Sequence, residues 1–231
     1  FDHGAAPPGI SDRRFRFDFI ARTVHQEPVP GAFAYLAQQA PTELTRLRAI
    51  AGSAARYISR SDSSANIPLL LMDTGSAAAL GALEDPVVRS QRNSLLCNIG
   101  NFHTLAFHLV DGSITGIFEH HTGEITRPQL EDMLVKLANG TLTNEEVFDT
   151  SGHGALILSP QDSSFVQSGD MPFLAVTGPR RALLRGSVLH PYEATPHGDM
   201  MLAGCFGLLR ALAHREPQLA NLIEPSLLSS V

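Results

Sequence analysis

Cysteine is nearly missing from this chain: its 231 residues include two, Cys97 and Cys205. Two thiols are too few for an iron–sulfur cluster held by the usual cysteine-rich ligation, so none is expected. Both lie in apolar surroundings, where a small buried side chain is a simpler reading than a disulfide or a nucleophile. Basic clusters are missing as well. The net charge is −6 and the isoelectric point about 5.9, so counter-ion release has no cationic surface from which to drive nucleic-acid binding. No apolar run reaches the ~18 residues of a membrane-spanning helix. No signal peptide is recognisable, and no repeat recurs at solenoid period. A cytoplasmic protein without nucleic-acid or membrane partners is the expectation. The first residue is Phe1 rather than Met, and the natural N-terminus is expected upstream of it.

What is present suffices for a core. Hydrophobic residues make up 43% of the chain and charged ones 17%, enough for one large domain or two small ones. The most informative stretch is residues 97–124, CNIGNFHTLAFHLVDGSITGIFEHHTGE. An apolar run at 94–99 enters the tight loop Gly100-Asn101-Phe102-His103-Thr104, and a second run at 105–110 leaves it. Asp111-Gly112 is a strong hairpin turn, because both residue types tolerate positive φ. A third run at 114–118 ends in Glu119-His120-His121-Thr122-Gly123-Glu124. Alternation places Leu105, Phe107 and Leu109 on one face and Ala106 and His108 on the other.

Around this hairpin the pattern predicts alternating strands and helices. Residues 1–13, rich in Gly and Pro, read as a loose lead-in. Phe15, Phe17 and Phe19 alternate with Arg and Asp and predict a short strand or half-buried extended piece. Leu44, Leu47, Ile50, Ala54 and Ile58 predict a helix over 42–59, followed by a polar loop at 61–66. The apolar run 67–72 feeds Asp73-Thr74-Gly75-Ser76 and a helix over 77–83, a strand, turn and helix N-terminus typical of α/β folds. Helices follow near 128–139, stopped by Gly140, and over 144–148. A short strand is predicted at 155–158, a solvent loop at 159–171, and a strand at 173–177 running into Gly178-Pro179-Arg180-Arg181. Asp199 can cap a long helix over 200–214. Three strand-to-glycine-turn junctions recur, at 73–76, 100–104 and 178–181. In α/β folds such turns gather at the carboxyl ends of the strands, where ligands bind.

The residues at these turns suit two chemistries. A glycine-bearing turn exposes backbone N–H groups that hold anions, so the loop 100–104 reads as a phosphate cradle or as an ordinary β-turn. His103, His120, His121 and His153 read as ligands for a transition metal or as acid–base groups, with Glu119 and Glu124 to complete the set or act as a base. The bland alternative is polar loop tips with satisfied hydrogen bonds. Neighbours on a strand point to opposite faces, so only one of His120 and His121 can face a given site. With His120 turned toward His103, His121 would serve packing. Asp73 reads as a helix cap or as a catalytic or cation-orienting carboxylate. Arg180 and Arg181 read as phosphate contacts or as a solvated helical turn.

The order of these elements resembles the actin-like ATPase superfamily, which includes actin, heat-shock ATPases, sugar kinases and acetate kinases. The matching pieces are the Ala-rich element Thr74-Gly75-Ser76-Ala77-Ala78-Ala79-Leu80, the turn Asn98 to Thr104 in the place of a second phosphate loop, and Val176-Thr177-Gly178-Pro179 as the adenosine-side turn. The resemblance implies that the first phosphate loop lies upstream of residue 1. It also implies that residues 1–66 are an α/extended remnant of a first subdomain and that 67–231 form the ribonuclease-H-like domain. Asn98 stands where the superfamily carries Asp, and Asn101 and Phe102 replace two glycines. More closely, the chain resembles a family of microbial proteins, many labelled "putative pyruvate formate-lyase activating enzyme". It does so through Asn98-Ile99-Gly100-Asn101, Gly116-Ile117-Phe118-Glu119-His120-His121-Thr122-Gly123, Gly152-His153-Gly154 and His197-Gly198-Asp199-Met200-Met201. The label does not suit the chemistry: a radical activase holds its cluster with Cys-x3-Cys-x2-Cys, and no such motif occurs here.

Together these features predict an α/β fold with a ribonuclease-H-like mixed sheet and flanking helices, of the actin-like ATPase type. The leading functional expectation is a nucleotide- or phosphoryl-compound-binding protein with ATPase or phosphotransferase activity and ATP with magnesium as cofactor. Asn98, Gly100, Asn101, His103, Thr104, Thr122, Gly123, Gly178 and Arg180 would bind phosphate or nucleotide, and Asp73, Glu119 and His120 would serve catalysis. A second expectation is a metal-dependent hydrolase using His103, His120 and Glu119 around an open metal site, with His121 and His153 as further candidate ligands. A third is a non-catalytic assembly module. The expected partner is a small-molecule or nucleotide ligand, with a homodimer as the expected assembly.

Overall fold

The computed structural model describes residues 2, 4–59, 68–158 and 171–228. The loop expected at 61–66 and most of that at 159–171 lie outside these residues. The chain begins with helix α1 (Asp12–Gln26) rather than the expected extended piece. The phenylalanine alternation misleads because a second period overlaps it. The residues that bury are Arg16, Phe17, Ile20 and Val24, spaced at the three- and four-residue intervals of a helix stripe. Phe15 and Phe19 lie on its flanks, half-buried.

Strand β1 (Ala34–Leu36) pairs antiparallel with β2 (Leu70–Met72) in a small two-stranded sheet, and α2 (Thr45–Ile58) comes between them in sequence. The Asp2 carboxylate accepts from the backbone N–H groups of Arg46 and Leu47 at 2.7 and 2.9 Å, satisfying donors that the start of α2 would otherwise leave open. Asp73 follows β2 and caps α3 (Thr74–Ala82) by accepting from the Gly75 N–H at 3.2 Å. A short helix, α4 (Pro86–Arg89), leads into the large sheet.

That sheet has six strands. A meander of β3 (Asn93–Ile99), β4 (His103–Val110) and β5 (Ser113–His121) runs antiparallel, and β6 (Gly154–Ile157) adds antiparallel to β5. On the other side of β3, β7 (Phe173–Thr177) and then β8 (Tyr192–Glu193) pair in parallel, so the order is β6-β5-β4-β3-β7-β8. The β4–β5 connection is the expected Asp111-Gly112 turn, with φ of 49° and 80°. Close to this turn the register slips: His108 pairs with Gly116 and Leu109 with Ile114, leaving Thr115 as a one-residue bulge. Such a bulge exchanges the two faces for everything beyond it.

Both faces of the sheet are covered. Leu96, Leu105, Phe107, Leu109, Ile117 and Ala175 pack under α1, α3 and a later helix, α7 (Ala203–Arg215). Leu95, Cys97, Ala106, Phe118, Leu174 and Val176 pack under α5 (Arg127–Ala138) and α6 (Asn144–Asp149). Continuous burial along β3 and β4 explains why they read as apolar runs rather than as clean alternation. The helix expected over 200–214 starts with a 3-10 turn at Met200–Leu202, capped by Asp199, before α7 proper. α7 crosses α3 with backbone against backbone. A Cβ at Gly81 would overlap the Ala203 carbonyl, and one at Gly207 would overlap the Ala77 carbonyl. The last helix, α8 (Pro217–Leu228), packs on α7. No helix among the described residues is long and apolar enough to cross a membrane.

Candidate functional site

A cleft of about 340 Å³ opens where the strand ends meet. Its walls are the turns after β3 and β7, the Asp73 end of α3, and the segment 200–204 leading into α7. The three glycine-bearing junctions seen in the sequence therefore come together. Asn98 sits between them. It faces Leu105 across one strand pair and Thr177 across the other. Gly178, at φ 98°, passes so close that a Cβ there would lie 2.8 Å from the Asn98 amide oxygen. Gly100 closes the β3–β4 loop by donating its N–H to the His103 carbonyl at 2.9 Å, and a Cβ there would lie 2.7 Å from that carbonyl oxygen. Both positions thus need glycine for close approach. The Thr177 hydroxyl, on the cleft wall, is buried and has no hydrogen-bond partner among the described residues.

Beneath the cleft lies a buried charge network that sequence reasoning missed. Arg16, from α1, donates through Nε and Nη2 to both oxygens of Glu119 at 2.8 Å each. Its Nη2 also reaches Asp73 Oδ2 at 3.2 Å, and Nη1 donates to the Asp2 carbonyl at 2.6 Å. The Arg16 and Glu119 side chains are 7% and 1% exposed, so neither charge is screened by water. Burial works against the Arg16 charge, but Glu119 and Asp73 outweigh it and raise the guanidinium above its ordinary value. Burial pushes the Glu119 carboxyl up, with Arg16 opposing. Burial would raise Asp73 too, yet Arg16 and the Gly75 N–H hold it below the ordinary carboxylate range. Asp73 is therefore both a helix cap and an ion-pair partner. The signal for Arg16 was available: in a helix spanning 12–26 it shares a face with Ile20.

The histidines divide between the two faces of the sheet. His103 pairs directly with His121 across β4 and β5, and His153, just before β6, completes a cluster with ring centroids 4.6–5.0 Å apart. The His153 N–H donates to the Glu119 carbonyl at 2.8 Å, and its Nδ1 lies 3.7 Å from Glu119 Oε2. His120 is absent from this group. It points to the α6 side, where Nδ1 meets the His121 carbonyl at 2.9 Å and Nε2 meets Thr150 Oγ1 at 3.3 Å, and burial lowers its pKa. The expected roles of His120 and His121 are thus exchanged. The cause is the bulge at Thr115, which turns Ile117, Glu119 and His121 toward the Leu105 face.

Several expected phosphate contacts lie elsewhere. Thr104 is on the opposite face from His103 by strand alternation, and its hydroxyl meets that of Thr122 at 3.0 Å in a buried pair. Gly123 is exposed in the segment between β5 and α5. Arg180 is exposed one residue beyond the Pro179 that lines the cleft, because its backbone N–H is tied to the Ile99 carbonyl. None of these four lines the cleft, whereas Asp73, Asn98, Gly100, Asn101, His103, Glu119 and Gly178 do. Cys97 is buried, with its thiol pushed up to about 12 by burial, and Cys205 is exposed.

The chain belongs to the family described as "Putative pyruvate format-lyase activating enzyme (DUF1786)", whose model matches residues 1–183. No curated protein matches it.

Proposed function

We propose that the cleft binds a phosphorylated small molecule of the nucleotide type together with a divalent cation, in the service of ATP hydrolysis or phosphoryl transfer. The observation that carries this reading is the convergence of the turns after β2, β3 and β7 on one cavity. Ligands of open α/β sheets bind outside the carboxyl ends of the strands. The order β5-β4-β3-β7-β8, an antiparallel meander followed by two parallel strands, supports the ribonuclease-H-like, actin-ATPase type of sheet. Thr74 and Gly75, at the N-terminus of α3, also line the cavity, and a helix start favours an anion.

The residues present fit magnesium and a phosphate. Asp73 is a hard oxygen donor held ionised beside the cavity, and the Thr177 hydroxyl is buried there without a partner. When bound, magnesium would be held by the Asp73 carboxylate and the Thr177 hydroxyl and would offset phosphate charge. The protein's own cation, Arg16, is committed to Glu119 and Asp73, so a polyphosphate needs that offset. Asn98 contributes an amide and no charge, and the carboxylates lining the cleft are Asp73 and Glu119. The family's label implies a radical activase, for which this chain's two cysteines provide no cluster motif.

The test is thermal stabilisation by ATP, ADP and inorganic phosphate, each with magnesium. A ligand at 100 times its Kd adds about 2.7 kcal/mol, or roughly 5–10 °C for a chain of this size. Thr177→Val removes the hydroxyl at constant shape and should shrink the shift. Absence of any shift with all three ligands ends the proposal and favours a non-catalytic assembly module.

A further inference from the structure

The imidazoles of His103, His121 and His153 converge from the first residue of β4, the last residue of β5 and the residue preceding β6. One ring nitrogen from each lies within 4.8 Å of the other two. Two features set this apart from a chance meeting of side chains. His103 and His121 are directly paired across the sheet, so rigid strands rather than loops fix their spacing. His153 is held by its backbone bond to the Glu119 carbonyl, and the Glu119 carboxylate stands 3.7 Å from its Nδ1. A carboxylate close to a ring nitrogen is a usual companion of a metal-bound imidazole.

From this geometry we infer that His103, His121 and His153 form a three-imidazole site for one divalent transition-metal ion on the wall of the cleft. Imidazole suits zinc, copper, iron and nickel, and hard cations such as magnesium prefer oxygen. An ion at ~2.0–2.1 Å from each nitrogen places the nitrogens about 3.3 Å apart. The three rings must therefore close by at most about 1.5 Å from the 4.8 Å envelope, within reach of side-chain torsions. Three protein nitrogens leave at least one coordination position for water or a ligand oxygen. His103 also lines the cleft, so the metal site and the nucleotide site adjoin at that residue. The metal site needs neither phosphate nor Asp73, and its test is independent of the nucleotide reading.

The experiment uses the untagged full chain, stripped with a chelator and titrated with Co2+ and then Zn2+. One equivalent of Co2+ should bind with the visible absorption of a low-symmetry nitrogen site, Zn2+ should displace it, and the melting temperature should rise. His121→Ala and His153→Ala should each weaken binding by more than the ~10–100-fold typical of losing an outer-shell partner. His25→Ala, exposed on α1, should bind as the parent does. Circular dichroism of the metal-free variants checks that they fold. Should either variant unfold, Co2+-induced shifts of imidazole resonances in the parent decide instead: those of His103, His121 and His153 should move most, and those of His108 and His25 least. A folded parent that takes up no Co2+ or Zn2+, or uptake unchanged in the His121→Ala/His153→Ala double variant, overturns the assignment.

Discussion

Replacing Arg16 by methionine keeps most of the side chain's length and removes its charge. The structure sets the cost. Two carboxylates depend on this guanidinium, through contacts of 2.8 Å to Glu119 and 3.2 Å to Asp73, and the Glu119 side chain is 1% exposed. Removing one partner of a buried ion pair costs about 3–5 kcal/mol, because the remaining charge has lost both water and counter-charge. Against a typical stability of about 5–15 kcal/mol that is at least about a fifth of the total. Urea unfolding followed by circular dichroism should show it as a fall in midpoint of about 2 M at an m-value of about 2 kcal/mol/M. The deficit should depend on pH in a definite direction. Burial already holds the Glu119 carboxyl above its ordinary value, and without Arg16 it rises further. A carboxyl whose folded pKa is raised stabilises the fold when protonated and loses that contribution as pH rises through the folded value. The variant should therefore be weakest at pH 8 and should recover part of the loss near pH 5. Adding Glu119→Gln to Arg16→Met should also recover part of it. A loss below about 1 kcal/mol, or one that is the same at both pH values, would refute the reasoning.

Two further outcomes follow from the core. His108, buried and bonded through Nε2 to Asn93 Oδ1 at 2.7 Å, has its pKa lowered by burial from 6.5 to about 4. Between these values the unfolded chain binds a proton that the folded one refuses, so stability should fall by about 3 kcal/mol as pH drops from 6.5 to 4. Urea midpoints across that range, compared with those of His108→Leu, isolate the effect. Gly207→Ala should drive α7 off α3 and cost about 1–3 kcal/mol, or several degrees in melting temperature. Gly204→Ala, in the same helix with open space at its Cβ, should cost nothing.

The sheet's centre was legible because its signals are local. Asp111-Gly112 turns where its backbone preference says it should, and the continuous apolar runs of β3, β4 and β7 became strands buried on both faces. The gathering of Asp73, Asn98, Gly100 and Gly178 followed from one rule about strand ends. What could not be read depended on a single residue of register or period. Phe15, Phe17 and Phe19 keep step with a strand, while Phe17, Ile20 and Val24 keep step with a helix, and tertiary burial chose the second. The side on which His121 falls is decided by the bulge at Thr115, and nothing in the local sequence announces it. Arg16 was hidden only because the helical period was passed over, and the place of Thr104 was legible: strand alternation alone puts it opposite His103.

Glu119 touches two neighbourhoods at once. Its oxygens are shared between a guanidinium that also holds Asp73 and an imidazole that belongs to the histidine cluster. A cation arriving among the rings would draw on the same carboxylate that steadies Arg16, and a charge change near Asp73 would travel the other way. Were the cleft and the histidine cluster both occupied, Glu119 would join the two sites, and their coupling free energy would be identical whichever visitor came first.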